Sequence, residues 1–198
     1  MAKSPSYSVP FRRRREGKTD YKSRRALVSS GLPRLVIRGT SRYVIIQVIE
    51  AQASGDRVVV SASSRELSGK YGWRGSCGNL SASYLTGLLC GYRAVDSGIK
   101  EAVLDIGLQT PSRGARVFAA LKGVIDAGMV VPHDKNVLPD DSRISGQHIA
   151  DYASQLSSDP EIYQRLFSRY LSQKLKPEQL AEHVSSVKDK IVSSFVEG

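Results

Sequence analysis

Three groups of residues in this chain could carry chemistry: a carboxylate at a strand end, a glycine-rich loop, and a dense run of arginines. The carboxylate is Asp105, in Leu104-Asp105-Ile106-Gly107. Metal-dependent phosphoryl-transfer enzymes hold an ion at such an Asp-x-Gly, but their chemistry needs further carboxylates converging on the same point. Glu50, Asp56 and Asp126 are acids of the right type, yet none belongs to a second metal-binding pattern. The plainer expectation is an aspartate that caps a neighbouring turn, with a metal-dependent nuclease as the alternative. His133, His148 and His183 lie far apart, without metal-ligand spacing. No serine or cysteine sits in a nucleophile elbow. Cys77 and Cys90 form no CxxC pair, and Cys90 falls on an apolar helix face, where packing is its expected role. The chain is therefore expected not to be an enzyme, with no catalytic residue, no metal and no cofactor.

The loop Gly69-Lys70-Tyr71-Gly72-Trp73-Arg74-Gly75-Ser76-Cys77-Gly78-Asn79 precedes a helix, an arrangement that can set backbone N–H groups around a phosphate. It lacks the Gly-Lys-Ser/Thr ending of a P-loop, and its glycines do not fit GxGxxG spacing. A plain flexible connection is the competing reading. Tyr71, Trp73 and Arg74 favour contact with RNA, although Trp73 could equally be half-buried packing.

The arginines decide the class of partner. Net charge is +10 and the isoelectric point about 9.8, which calls for a polyanion. Residues 1–42 hold twelve Lys/Arg against two acids, and the remainder is balanced, so the whole surplus lies at one end. Arg12, Arg13, Arg14, Arg15, Arg24 and Arg25 outnumber Lys18 and Lys22 there. Guanidinium groups grip phosphate oxygens with a planar fork and stack on bases, whereas ammonium groups are hydrated point charges. Tyr7, Phe11 and Tyr21 are interleaved, and unpaired bases stack on such rings for roughly 1–3 kcal/mol each. A solvated tail or localisation signal is the plain alternative, but Arg38, Arg42 and Tyr43 continue the same chemistry onto a folded hairpin. A membrane surface fits less well, because no amphipathic basic helix is evident. No apolar run reaches the roughly 20 residues of a membrane span, and the N-terminus lacks the apolar stretch of a signal peptide. The sequence reads as soluble and intracellular.

The elements that must position these residues can be read from periodicity. Residues 1–30 lack an apolar stripe and are expected to be an extended basic arm that orders on its partner. Arg34–Arg38, Tyr43–Glu50 and Arg57–Ser61 read as a three-stranded meander. Asn79 or Ser81 caps a helix carrying Leu85, Leu88, Leu89, Tyr92 and Val95, which ends at Gly98. Gly87 and Gly91 on one of its faces allow close backbone approach. Ala102–Ile106 is a strand, Arg113–Ala127 a helix, Val130–Pro132 a last strand or extended piece, and a further helix starts near Ser145. Ser158-Asp159-Pro160-Glu161 signals an N-terminus with a capping box, and Pro177 opens a helix carrying Leu180, Val184, Val187, Ile191 and Phe195. The expected layout is an arm over 1–30, an α/β core with a mixed sheet over 31–155, and a C-terminal helical extension over 156–198.

Several blocks then match a known family, in order, from about residue 5 to 155. They are Phe11–Tyr21, Pro33–Arg38, Tyr71-Gly72-Trp73 through Asn79 to Gly87, Leu104–Leu108, Arg116–Gly123, Ile125–Gly128 and Val131-Pro132-His133. Together they resemble ribosomal protein L eighteen of the archaeal type, the counterpart of eukaryotic ribosomal protein L five. The resemblance implies a ribonuclease-H-like α/β layer sandwich without nuclease chemistry. It implies a structural role in the central protuberance of the large subunit, binding 5S rRNA and attaching it to the large rRNA beside neighbouring ribosomal proteins. By the same implication Arg12–Arg15, Lys18, Tyr21, Arg24, Arg25, Arg38, Arg42, Tyr43 and the loop residues Lys70, Tyr71, Trp73, Arg74, Ser76 and Asn79 meet RNA. The long C-terminal tail of the eukaryotic counterpart is absent, which points to an archaeal cytoplasmic ribosome.

Overall fold

The computed structural model describes residues 4–196. The basic segment is not extended throughout: it forms α1 (Arg12–Arg15) and α2 (Tyr21–Ser29). Asp20 starts α2 by accepting hydrogen bonds from the backbone N–H groups of Lys22 and Ser23. Neither helix buries a side chain, so no apolar stripe existed for periodicity to detect. Residues 1–3 of the expected arm, Lys3 among them, lie outside the described residues.

Four strands follow: β1 (Arg34–Gly39), β2 (Val44–Gln52), β3 (Gly55–Ser63) and β4 (Val103–Asp105). They form one mixed sheet in the order β3-β2-β1-β4, with an antiparallel meander and β4 parallel to β1, placing Val36 beside Asp105. The last strand or extended piece expected from Val130 pairs through a single parallel bridge between Glu101 and Val130. Pro132 has no N–H to continue a ladder.

Alternation along β1 and β2 sends Leu35, Ile37, Val44, Ile46 and Val48 into the core, and Arg34, Val36 and Arg38 to the opposite face. The core face is covered by α4 (Leu80–Asp96) and α5 (Arg116–Asp126). These helices cross at backbone contact. A Cβ at Gly87 would intrude on the Ala120 carbonyl, and one at Gly123 on that of Tyr84. Before α4 comes a short helix that periodicity missed, α3 (Ser64–Lys70), started by a capping box between Ser63 and Glu66. The α5 helix begins three residues later than expected, after a loop with Gly114 at φ 66°.

The helix expected near Ser145 is two, α6 (Asp141–Ser145) and α7 (Gln147–Gln155), broken where Gly146 takes φ 82°. The last two helices are α8 (Pro160–Ser172) and α9 (Leu180–Val196), preceded by a 3-10 turn over Pro177–Gln179. Asp159 makes no side-chain cap bond, so of the expected start signal the proline and the first-turn acid Glu161 remain. The C-terminal segment is not one peripheral extension. Leu180, Val184, Val187 and Ile191 of α9 are buried in the main core, and Phe195 stacks on Tyr92 of α4 with centroids 5.4 Å apart. By contrast, α8 buries only Phe167. Residues 197 and 198 lie outside the described residues. Among those described, no helix is long and apolar enough to cross a membrane.

Candidate nucleic-acid interface

On the outward face of the sheet, the enzyme-like aspartate is fully engaged. Arg34 donates to Asp105 Oδ2 at 2.9 Å, Arg38 to Asp105 Oδ1 at 2.7 Å, and the Gly107 N–H to the same Oδ1 at 2.9 Å. Burial pushes the Asp105 carboxyl up, but Arg38, Gly107 and Arg34 outweigh it and hold it below its ordinary value. Two guanidinium groups thus occupy the place where a cation would have to sit. Among the described residues, no three His, Cys, Asp or Glu side chains are grouped to hold a metal. The turn-capping role expected for Asp105 is present in its bond to Gly107, with a buried ion pair to Arg34 and a part-buried one to Arg38 added. Arg34 also donates to Asp56 at 2.6 Å, and Arg24 of α2 meets the same Asp56 oxygen at 2.8 Å. Asp56 therefore tethers α2 to the sheet, and between them runs a groove of about 860 Å³.

The rest of the arm faces solvent. Arg12, Arg13, Arg14, Arg15, Lys18 and Arg25 are exposed, and Tyr21 and Arg24 are half-buried. Glu16 pairs with both Arg12 and Lys18, at 3.3 and 2.9 Å, but exposed pairs of this kind contribute about 0–1 kcal/mol and yield readily to phosphate. Phe11 lies 5.1 Å from Tyr21, centroid to centroid, leaving Phe11 71% exposed.

The glycine-rich loop is pinned rather than flexible. Trp73 is 2% exposed, stacks on His183 of α9 at 5.1 Å, and donates from Nε1 to the Ser76 carbonyl. That burial removes Trp73 from base stacking and fixes it as packing. The Arg74 N–H donates to His183 Nε2 at 3.0 Å, while burial, then Arg74 and Lys190, hold the His183 pKa below its ordinary value. Asn79 caps α4 through Oδ1, accepting from the Ala82 N–H at 2.7 Å. Lys70 and Arg74 remain exposed, and Tyr71 and Ser76 half-buried.

Packing also brings the loop against the β1–β2 turn. A Cβ on Gly78 would lie 2.9 Å from the Ser41 carbonyl oxygen. Arg116 locks the two together, donating from Nη1 to the carbonyls of Thr40 at 3.0 Å and Gly78 at 2.8 Å. Arg42 and Tyr43, on the turn, thus neighbour Ser76 to Asn79, and Arg65 sits 5.6 Å over the Tyr43 ring. Two clusters result: Arg13, Lys18, Arg24 and Arg38 around the groove, and Arg42, Tyr43, Ser76 and Asn79 at the turn and loop. Sequence reading missed Arg116 as the clamp between turn and loop. It fell inside the helix expected over Arg113–Ala127, where its spacing marked no contact.

Comparison with known proteins places this geometry in a lineage. The family model described as "Ribosomal large subunit proteins 60S L5, and 50S L18" matches residues 5–100 and 96–134. The "Large ribosomal subunit protein uL18" of Caldivirga maquilingensis is 54% identical over 196 residues, spanning 98% of this chain and 95% of the relative. The protein of the same name from Aeropyrum pernix is 50% identical over 196 residues, spanning 98% and 92%. Both organisms are archaea. The chain belongs to this family of large-subunit ribosomal proteins, and is a structural constituent of the ribosome rather than an enzyme.

Proposed function

We propose that the protein binds 5S rRNA and attaches it to the large rRNA in the central protuberance, within the large subunit of the cytoplasmic ribosome and beside neighbouring large-subunit proteins. The observation that carries this reading is the surface left by folding. Arg12, Arg13, Arg14, Arg15, Lys18, Lys22, Arg25 and Arg42 are all exposed, while Arg34 is buried in ion pairs. A cationic surface of this density neutralises phosphates and releases their counterions. Exposed Phe11 and half-buried Tyr21, Tyr43 and Tyr71 add rings for unpaired bases. Lys70, Arg74, Ser76 and Asn79 extend the contact onto the pinned loop. The ribonuclease-H-like architecture is part of the same proposal. It is supported by the antiparallel meander, the parallel β4 beside β1, and the bridge at Val130 just beyond.

Gel shifts with 5S rRNA over a salt series test the reading, comparing the full chain with one lacking residues 1–25. The full chain is expected to prefer 5S rRNA to tRNA and to lose affinity steeply with salt, and the shortened chain to bind far more weakly. Equal affinity of the two chains, or no preference over tRNA, contradicts it.

A further inference from the structure

We infer that Arg38 and Gly107 form a rigid stacking platform, in the groove beneath α2, for one splayed-out base of the bound RNA. The inference rests on the RNA-binding reading above and adds to it a defined seat and a type of contact.

Arg38 is held in place by three hydrogen bonds within the protein. Its Nη1 donates to the carbonyls of Ile37 at 2.9 Å and Asp105 at 2.7 Å, and its Nη2 to Asp105 Oδ1 at 2.7 Å. Three of its five N–H donors are spent within the protein, which leaves Nε–H and one Nη2–H for other contacts. One face of the plane is covered by backbone. A Cβ built on Gly107 would meet Arg38 Cζ at 2.9 Å, Nη2 at 3.0 Å and Nε at 3.2 Å. The central carbon is the nearest atom, so Gly107 approaches over the face and not along the edge. The side chain nevertheless stays 42% exposed and lines the groove, and the platform requires that exposure to lie on the opposite face.

A flat cation with fixed edges, one covered face and one open face is a support for a planar ring. Unpaired RNA bases stack on guanidinium planes in this way. Val36, Ile49 and Leu104 give the groove apolar walls, Gln109 brings an amide to it, and Arg13 and Lys18 supply charge for the flanking phosphates. At about 860 Å³ the space has room for a nucleotide. The helix above it buries none of its own side chains, so α2 roofs the groove without filling it.

Two variants separate this from a phosphate contact and from a purely structural role. Arg38→Lys keeps the charge and removes the plane. Ala26→Trp fills the groove from α2 and leaves the Arg38–Asp105 pair untouched. Binding of full-length protein to 5S rRNA is measured over a salt series, with thermal melting of each variant alongside. Both variants are expected to weaken binding by roughly 5- to 150-fold, the range for a lost stacking contact, with the salt slope of wild type, and Ala26→Trp with its melting temperature too. Two outcomes overturn the platform: unchanged affinity in either variant, which for Arg38→Lys is the mark of a phosphate contact kept by its charge, or, in Ala26→Trp, affinity loss that tracks a lowered melting temperature. In both of those outcomes wild type still binds RNA. Failure of wild type itself to bind 5S rRNA removes the RNA-binding reading and the platform together.

Discussion

At the level of single residues, Asp105 decides most. Removing its charge leaves Arg34, which is 3% exposed, with Asp56 as its one remaining anion, so the loss falls short of the about 3–5 kcal/mol that an uncompensated buried charge costs. Asp105→Asn is therefore expected to destabilise the fold by less than that amount, read as a lowered urea midpoint at neutral pH. The pH dependence follows from the depressed carboxyl: its stabilisation is complete above the ordinary carboxylate pKa of about 3.9 and is lost as pH falls through the lower folded value. Wild type should lose stability in that acid range, and Asp105→Asn should lose less. His183 works in a higher window. It is held neutral with Nε2 accepting from Arg74, so its contribution is present above an unfolded value near 6.5 and is lost as pH falls through the folded one. His183→Gln should flatten the wild-type decline in melting temperature below about pH 6.5. At this scale the sequence showed residue type well and partners poorly. Asp105 stood out as a candidate metal ligand, but nothing in the chain order foretold that Arg34 and Arg38 would flank it. Cys90 was legible as packing, and burial indeed pushes its thiol up to about 12.

At the level of elements, the glycines of the helix pair are the most exacting feature. Gly123→Ala is expected to destabilise by at least about 1–3 kcal/mol, because the new methyl must displace backbone of α4 and not a movable side chain. Gly98→Ala, with open space around it but φ 80°, should cost less than Gly123→Ala; a denaturation series on both checks the order. The meander, α4 with its Asn79 cap, and α5 were readable because burial imposes periods of 2 and 3.6 on side chains that face a core. The helices α1, α2 and α3 were not, since short surface helices depend on caps and tethers instead. For α2 those are Asp20 and the Arg24–Asp56 pair, and the second is a contact across 32 residues.

At the level of the whole molecule, the C-terminal helix changes what counts as the domain. Leu180, Val184, Val187 and Ile191 were visible as an apolar stripe, but a stripe states that a face is buried, not what buries it. Because α9 packs into the same core as the sheet and holds Trp73 through His183, it also positions the glycine-rich loop. A chain ending before Leu180 is expected to lose cooperative melting, whereas one shortened by residues 1–25 should retain it. The positive end of the molecule was fully legible, since charge needs no fold to be counted. Its division into free and spent cations needed the fold: Arg34 is buried on Asp105 and Asp56, while Arg12 to Arg15 are exposed. The most direct test is the salt dependence of 5S rRNA affinity for wild type against a variant with Arg12, Arg13, Arg14 and Arg15 all changed to Gln. Roughly three units should be lost from the slope of log affinity against log salt, at about 0.7–0.9 per phosphate contact, with folding intact. An unchanged slope in a folded variant would contradict the assignment of these arginines to RNA.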